Sequence, residues 1–220
     1  AETHEVINVG RELVDYNLYT QDAALQEAVR RESAAWADAQ LSAFGAKIGT
    51  AEYLDLGVVA NRVPPELDTH DRFGNRVDLV RFHPAYHALM QSAIGHGLHS
   101  SPWTEPRPGA HVARAAGVYL HSQVEAGHQC PVTMTFAAVP TLRTTPQLAA
   151  LWEPRITARV YDPRNVPDSQ KAGITIGMAM TEKQGGSDVR ANTTRAVPVG
   201  AAQGPGEADE LVGHKYFVSA

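Results

Sequence analysis

The spacing of apolar residues changes period once along this 220-residue chain, and that change sets the folds open to it. Up to about Trp152 apolar residues recur at three- and four-residue intervals, and beyond residue 173 they alternate. From Thr20 to about Phe44, with Thr20 or Asp22 as cap, Leu25, Ala28, Val29, Trp36 and Ala39 fall in helical register, and Gly45 supplies a stop. A shorter helix is expected after Thr50, carrying Tyr53, Leu54, Val58 and Val59, before Val63-Pro64-Pro65 breaks it. Residues 61–82 read as a long, polar, irregular connection. His83-Pro84 then opens a helix to about Gly95, since proline at the first helical position gives up only an amide that has no partner there. The segment 100–109, SSPWTEPRPG, breaks the chain again. Ala110 to Ala126 resumes the helical register, and Thr145-Pro146 starts one more helix.

Prolines at 154, 163 and 167 mark the change of character. Beyond them Ile174, Ile176, Met178 and Met180 alternate with smaller residues, the period of a strand with one buried face. Val189–Val197 reads as a polar strand, GAAQGPGEAD as a flexible turn and ELVGHKYFVS as a further strand. The expected fold is α+β, with a helical domain over 1–170 and the start of a β domain over 171–220. Two or three strands without a closing partner leave that sheet edge open, so the fold is expected to be incomplete in this chain.

Charge and composition narrow the function classes. Residues 1–150 hold 11 Lys and Arg against 16 Asp and Glu, and residues 151–220 hold 8 of each, so neither part is a basic platform for nucleic acid. No DNA binding is expected of this segment alone. No apolar run approaches the ~20 residues that span a bilayer, and the start AETHEVINVG lacks a signal-peptide pattern, which together predict a cytoplasmic protein without a membrane partner. The single cysteine, Cys130, has no thiol partner for a disulfide or a zinc site and is expected to be a small buried hydrophobe.

The string Met180 to Val189, MTEKQGGSDV, carries the most chemistry. Gly185-Gly186 lets the backbone turn sharply against a ligand, Thr181 and Ser187 offer hydroxyls, and amides in such a turn form an anion-binding concavity. A plain tight turn between strands explains the same residues equally well. His83 and His87, four apart on one helix, have no third ligand nearby, so capping or packing is expected of them rather than metal, as for His96 and His99. Met134–Pro140 reads as core in preference to a channel lining. Ser187-Asp188 lacks the Gly-x-Ser-x-Gly elbow of a hydrolase.

TEKQGGSD resembles the acyl-CoA dehydrogenase signature, a Thr-Glu pair followed closely by Gly-Ser-Asp, and Lys183-Gln184-Gly185 in its middle is the form of the AidB branch. THDRFG (69–74), PWTEPRPGAHVARAA (102–116), CPVTMTFAAVP (130–140) and GHKYF (213–217) resemble that branch too. The resemblance implies an FAD-binding oxidoreductase acting on CH-CH groups, linked to the response to DNA alkylation damage. It places Met180 and Thr181 at the isoalloxazine edge through backbone groups and the Thr hydroxyl, and Gly185, Gly186 and Ser187 at the pyrophosphate. The family's Trp-Ile-Thr/Ser segment, which packs on the flavin, becomes Phe217-Val218-Ser219, with Tyr216 as a competing aromatic. The implied partners are FAD, an acyl-CoA, and either further copies, as a homotetramer, or a complementing carboxy-terminal chain. No residue of 1–220 is assigned as catalytic base, and no metal is implied. Two other readings stay open: a non-catalytic flavoprotein that protects DNA or scavenges alkylating agents, and a helical interaction module without flavin.

Overall fold

A computed structural model describes residues 3–201, 203–204 and 206–218. The helices are α1 (Ala23–Arg31), α2 (Asp38–Ile48), α3 (Ala51–Arg62), α4 (Pro84–Gly95), the short α5 (Ser101–Thr104), α6 (Ala110–Ser122), α7 (Gln129–Leu142) and α8 (Pro146–Ile156). Two antiparallel hairpins join them: β1 (Glu66–His70) with β2 (Arg76–Arg81), and β3 (Arg195–Pro198) with β4 (Asp209–Val212). Helices with a small β element agree with the α+β expectation. The chain divides into two compact units, one of residues 1–89 and 107–126, the other of 90–106 and 127–220.

In the first unit, the helix expected over 20–44 is two helices. Asp22 caps α1 by accepting from the Leu25 amide at 2.8 Å, but Ser33 takes a left-handed φ of 63°, and a 3-10 turn at Ala35–Ala37 redirects the chain into α2. Periodicity misses the break because Trp36 stays near register; its indole N–H donates to the Pro108 carbonyl at 2.9 Å and its ring lies under the Arg107 guanidinium. Gly45 does not stop the helix but sits inside α2. The chain at 16–18 runs along that face, with the Leu18 amide donating to the Gly45 carbonyl, and a Cβ at 45 would lie 2.6 Å from Asn17 Oδ1 and 2.7 Å from the Tyr19 amide. The shorter helix expected after Thr50 is α3, and Thr50 caps it by accepting from the Tyr53 amide at 3.3 Å. The core is built from Val29, Leu41, Phe44, Ile48, Ala116 and Leu120, and within it His121 hydrogen-bonds with the Tyr53 hydroxyl at 2.9 Å.

Residues 61–82, expected to be irregular, contain the β1–β2 hairpin, in which Leu67 pairs with Val80 and Glu66 with Arg81. Neither strand buries a face, so the sequence lacks the apolar alternation that reveals a strand. Asp71 organises the turn by accepting from the amides of Phe73 and Asn75. His83 caps α4 through Nδ1, which accepts from the Ala85 amide, and His87 packs against the rings of Phe82 and Tyr86, in keeping with the capping and packing expected of them.

In the second unit α7 packs on α8, with Ala138, Val139 and Ile156 buried and Trp103, Leu142, Ile174 and Ile176 around them. The 100–109 segment is not wholly irregular: α5 orients Trp103 to stack on Phe136 at 4.9 Å and to donate to the Phe136 carbonyl. His99 donates through Nε2 to the Ala158 carbonyl, and Arg159 pairs with Glu105 at 2.6 Å. Met134–Pro140 contributes core residues, as preferred from sequence, whereas Cys130 is only half-buried. The expected strand over 174–180 is extended and alternates in burial, but it pairs with no strand among the described residues. It lies instead on α7, where the Ile176 amide donates to Thr135 Oγ1 at 3.0 Å and the Met178 amide to Met134 Sδ. Of the run 189–197 only its last residues form β3, after a 3-10 turn at Val189–Ala191, and the run 210–219 is a strand only to Val212.

Candidate functional site

Met180 and Thr181 end the extended segment, and the chain then turns at once. The Gly185 amide donates to the Glu182 carbonyl at 3.1 Å and the Asp188 amide to the Gly185 carbonyl at 2.9 Å. Gly186 takes a left-handed φ of 52°, a conformation that glycine adopts at no steric cost, and a Cβ there would meet nothing within 4 Å. Asp188 closes the turn by accepting from the Arg190 amide. The Gly186 and Ser187 amides have no partner among the described residues, and both residues are exposed, so these two donors remain open.

The last described segment returns to the end of this extended segment. The Tyr216 amide donates to the Thr181 carbonyl at 2.9 Å, Lys215 Nζ lies 3.4 Å from the Met180 carbonyl, and Asn192 Nδ2 donates to that carbonyl at 2.7 Å. The Lys183 amide donates to His214 Nε2. Both carbonyls are thus engaged within the protein, whereas the Thr181 hydroxyl and the amides of Met180 and Thr181 have no partner among the described residues. Met180, Phe217 and Val218 are 55%, 77% and 57% exposed, so apolar side chains at both ends of the Tyr216–Thr181 contact remain open. Among the residues assigned from sequence, Met180 and Thr181 are brought directly against the 215–217 segment, while Gly185, Gly186 and Ser187 are linked to it through Glu182. Ser219 lies outside the described residues.

Glu182 is what the sequence reading missed. Its side chain is inaccessible to solvent, and its oxygens accept from the amides of Thr193 and Thr194, at 2.7 and 3.0 Å, from Gln184 Nε2 at 2.6 Å and from Lys215 Nζ at 3.0 Å. The Thr194 hydroxyl, 2.5 Å away, is the first cause of a carboxyl pKa held well below the ordinary value, followed by the Thr193 amide. Its only sequence signal is its place inside the signature, because partners 11, 12 and 33 residues away share no local spacing with it.

No cluster of three metal-ligating side chains occurs among the described residues, and no described helix is long and apolar enough to cross a membrane. A cleft of about 400 Å³ opens elsewhere in the second unit, lined by Leu142, Trp152 and Ile174–Ile176 together with Lys171 and Asp168. It shares no residue with the 180–188 turn, and Asp168 is already paired with Arg155.

Residues 8–163, well over half of the chain, match the family of the adaptive response protein AidB N-terminal domain. The chain belongs to the AidB family. It is 49% identical over 220 residues to AidB of Escherichia coli (strain K12) and 32% identical over 212 residues to acyl-CoA dehydrogenase family member 11 of Caenorhabditis elegans. These alignments cover 99% and 93% of this chain but 40% and 33% of those proteins. Two solved structures share the fold. The apo form of Bd2924 superposes with a TM-score of 0.76 at 25% identity, over 95% of this chain and 41% of that one. Caenorhabditis elegans ACDH-11 in complex with C11-CoA superposes with a TM-score of 0.73 at 28% identity, over 98% and 36%. The α+β architecture is therefore that of the amino-terminal part of an acyl-CoA dehydrogenase, a helical domain with the start of the β domain.

Proposed function

We propose that this AidB-family chain supplies one edge of an FAD site in an acyl-CoA dehydrogenase-type oxidoreductase acting on CH-CH groups. The observation that carries the reading is the Tyr216–Thr181 backbone bond, which joins the segment carrying the exposed Phe217 to the extended segment that leads into the Gly185-Gly186 turn. Thr181 Oγ1 and the amides of Met180 and Thr181 donate toward the flavin edge, where such donors favour the charge of a reduced ring. The Gly186 and Ser187 amides and the Ser187 hydroxyl hold the pyrophosphate. Phe217 and Val218, with Ser219 after them, cover part of the ring. Bound there, FAD would supply the acceptor for a hydride leaving the β-carbon of a thioester.

An acyl-CoA is the proposed substrate class, in line with C11-CoA in the ACDH-11 complex. The helical domain is assigned to 1–170 and the β domain to 171 onward; the protein acts in the cytoplasm as a homotetramer and serves the response to alkylation damage. No residue of 1–220 is assigned the role of the base. Because the chain spans 40% of the E. coli relative, the test joins residues 1–220 to the remainder of that protein. The chimera is expected to bind FAD, and an acyl-CoA is expected to bleach its visible absorption. A folded chimera that takes up no flavin overturns the FAD reading; one that binds FAD and is reduced by dithionite but by no acyl-CoA of any chain length overturns the substrate class.

A further inference from the structure

Between Ile174 and Val218 the only buried residue among those described is a charged one, Glu182. Both strands of the β3–β4 hairpin are exposed along their whole length, and Met180, Thr181, Gly186, Ser187 and Phe217 are exposed too. Ile174 and Ile176 pack on the α7–α8 core, but from Gly177 to Val218 no described apolar residue is buried. Glu182 follows the extended segment, and its groups meet Gly185 of the Gly-Gly turn, Thr193, Thr194 and Lys215. Oε1 faces the Thr194 amide and hydroxyl and Lys215 Nζ, while Oε2 faces the Thr193 amide and hydroxyl and Gln184 Nε2. A buried carboxylate is tolerated only when donors fill its lone pairs, and once filled it fixes all of its partners together. Close packing around Thr194 points the same way, since a Cβ at Gly213 would strike the Thr194 side chain and its Cα.

We propose that Glu182 is the positioning residue of the cofactor platform, clamping the 180–187 turn to the 215–217 segment so that both present to one ligand. The proposal rests on the FAD reading for the identity of that ligand. The clasp itself does not, because every group in it belongs to this chain. Substituting Glu182→Gln keeps the size of the side chain but turns an amide NH2 toward one of the two sets of three donors. None of the helices contributes a donor to Glu182, so they keep their own packing.

The test reads amide hydrogen exchange in this chain and FAD affinity in the chimera. In Glu182→Gln, the amides of Thr193, Thr194 and Tyr216 are expected to exchange at least tenfold faster while α7 and α8 keep their rates, and FAD binds at least tenfold more weakly. Thr194→Val should follow the same direction, and Thr194→Ser, which restores the hydroxyl donor, should return both readouts toward wild type. Unchanged exchange at Thr193 and Thr194 in Glu182→Gln overturns the clasp. Faster exchange with unchanged FAD affinity overturns the positioning role, reducing Glu182 to local structure. A wild-type chimera that takes up no FAD overturns the flavin reading instead, and the exchange rates then decide the role of Glu182 by themselves.

Discussion

At the scale of single residues, the pKa values of Glu182 and Tyr19 are displaced in opposite directions, so one contributes to an acid limb and the other to an alkaline limb of stability. Hydrogen bonds from Thr194 and Thr193 hold the Glu182 carboxyl below its ordinary 4.5. The native state therefore binds fewer protons than the unfolded one just below that value, and the contribution of the clasp is complete above about pH 5 and is lost as pH falls. Asp162, held low first by Arg164, adds to the same acid limb. Tyr19 is pushed up to about 12, first by burial and then by its bond to Asp38, so its contribution is full below pH 10 and is lost as pH rises through that interval. Denaturation midpoints measured against pH should fall on both sides, and Tyr19→Phe should remove most of the alkaline fall; because the Tyr19 hydroxyl is also the first cause holding the Asp38 carboxyl low, the acid fall should ease slightly and keep its Glu182 and Asp162 parts. Gly186→Ala separates ligand from fold. The left-handed φ costs about 1 kcal/mol of stability for alanine, whereas a methyl group in the open space beside the turn should weaken FAD binding in the chimera about tenfold, a further ~1.4 kcal/mol. Equal flavin affinity in Gly186→Ala and wild type would show that the pyrophosphate lies elsewhere. Of these residues the sequence displays Gly186, Ser187 and Thr181 plainly, because a glycine pair between hydroxyls is a local pattern. It hides the work of Glu182, whose partners are assembled only by the fold.

At the scale of elements, legibility followed burial. Caps and proline entries were readable at Asp22, Thr50 and Pro84, since each acts on its own next turn. The break between α1 and α2 was not, because Ser33 leaves the helix without glycine or proline to announce it. The β1–β2 hairpin was invisible to periodicity for want of a buried face, and the 174–180 segment showed the right alternation but rests on a helix where a neighbouring strand was expected. Gly45 offers a sharp case of context overriding propensity. In an isolated helix Gly→Ala gains about 1 kcal/mol, but here the new Cβ would crowd Asn17 Oδ1 and the Tyr19 amide, so Gly45→Ala should instead destabilise by about 1–3 kcal/mol. In the second unit Ile156 is wholly buried against Val139 and Ala138. Ile156→Ala should cost about 3 kcal/mol through lost burial and the cavity left behind, read as a lower denaturant midpoint with unchanged slope. A loss under about 1 kcal/mol would mean that α7 and α8 close the gap.

At the scale of the whole molecule, the surface that would meet a flavin is one-sided. Phe217 and Val218, with Met180, remain largely open, and the assigned residues reach one ring edge and part of the pyrophosphate, with none assigned to the adenosine. Large cofactors are held by burying about 70–90% of their surface, and the exposed β3–β4 hairpin is a poor support for a rigid ring system. The net charge of −5 likewise gives the chain no footing on DNA, so anisotropy at physiological salt should show no tight, salt-sensitive complex. Preorganisation by the Glu182 clasp and completeness of the site are separate quantities, and this chain separates them. The clasp should hold the 180–187 turn in place without flavin, yet the 220-residue chain should bind FAD with a dissociation constant weaker than about 10 μM and lose it on gel filtration. The chimera should elute yellow. If the 220-residue chain alone elutes as a yellow complex with one FAD per chain, it forms a complete site, by self-association or by surfaces other than 180–187 and 215–218. Sedimentation of that complex distinguishes the two, because only self-association raises the mass together with the flavin content.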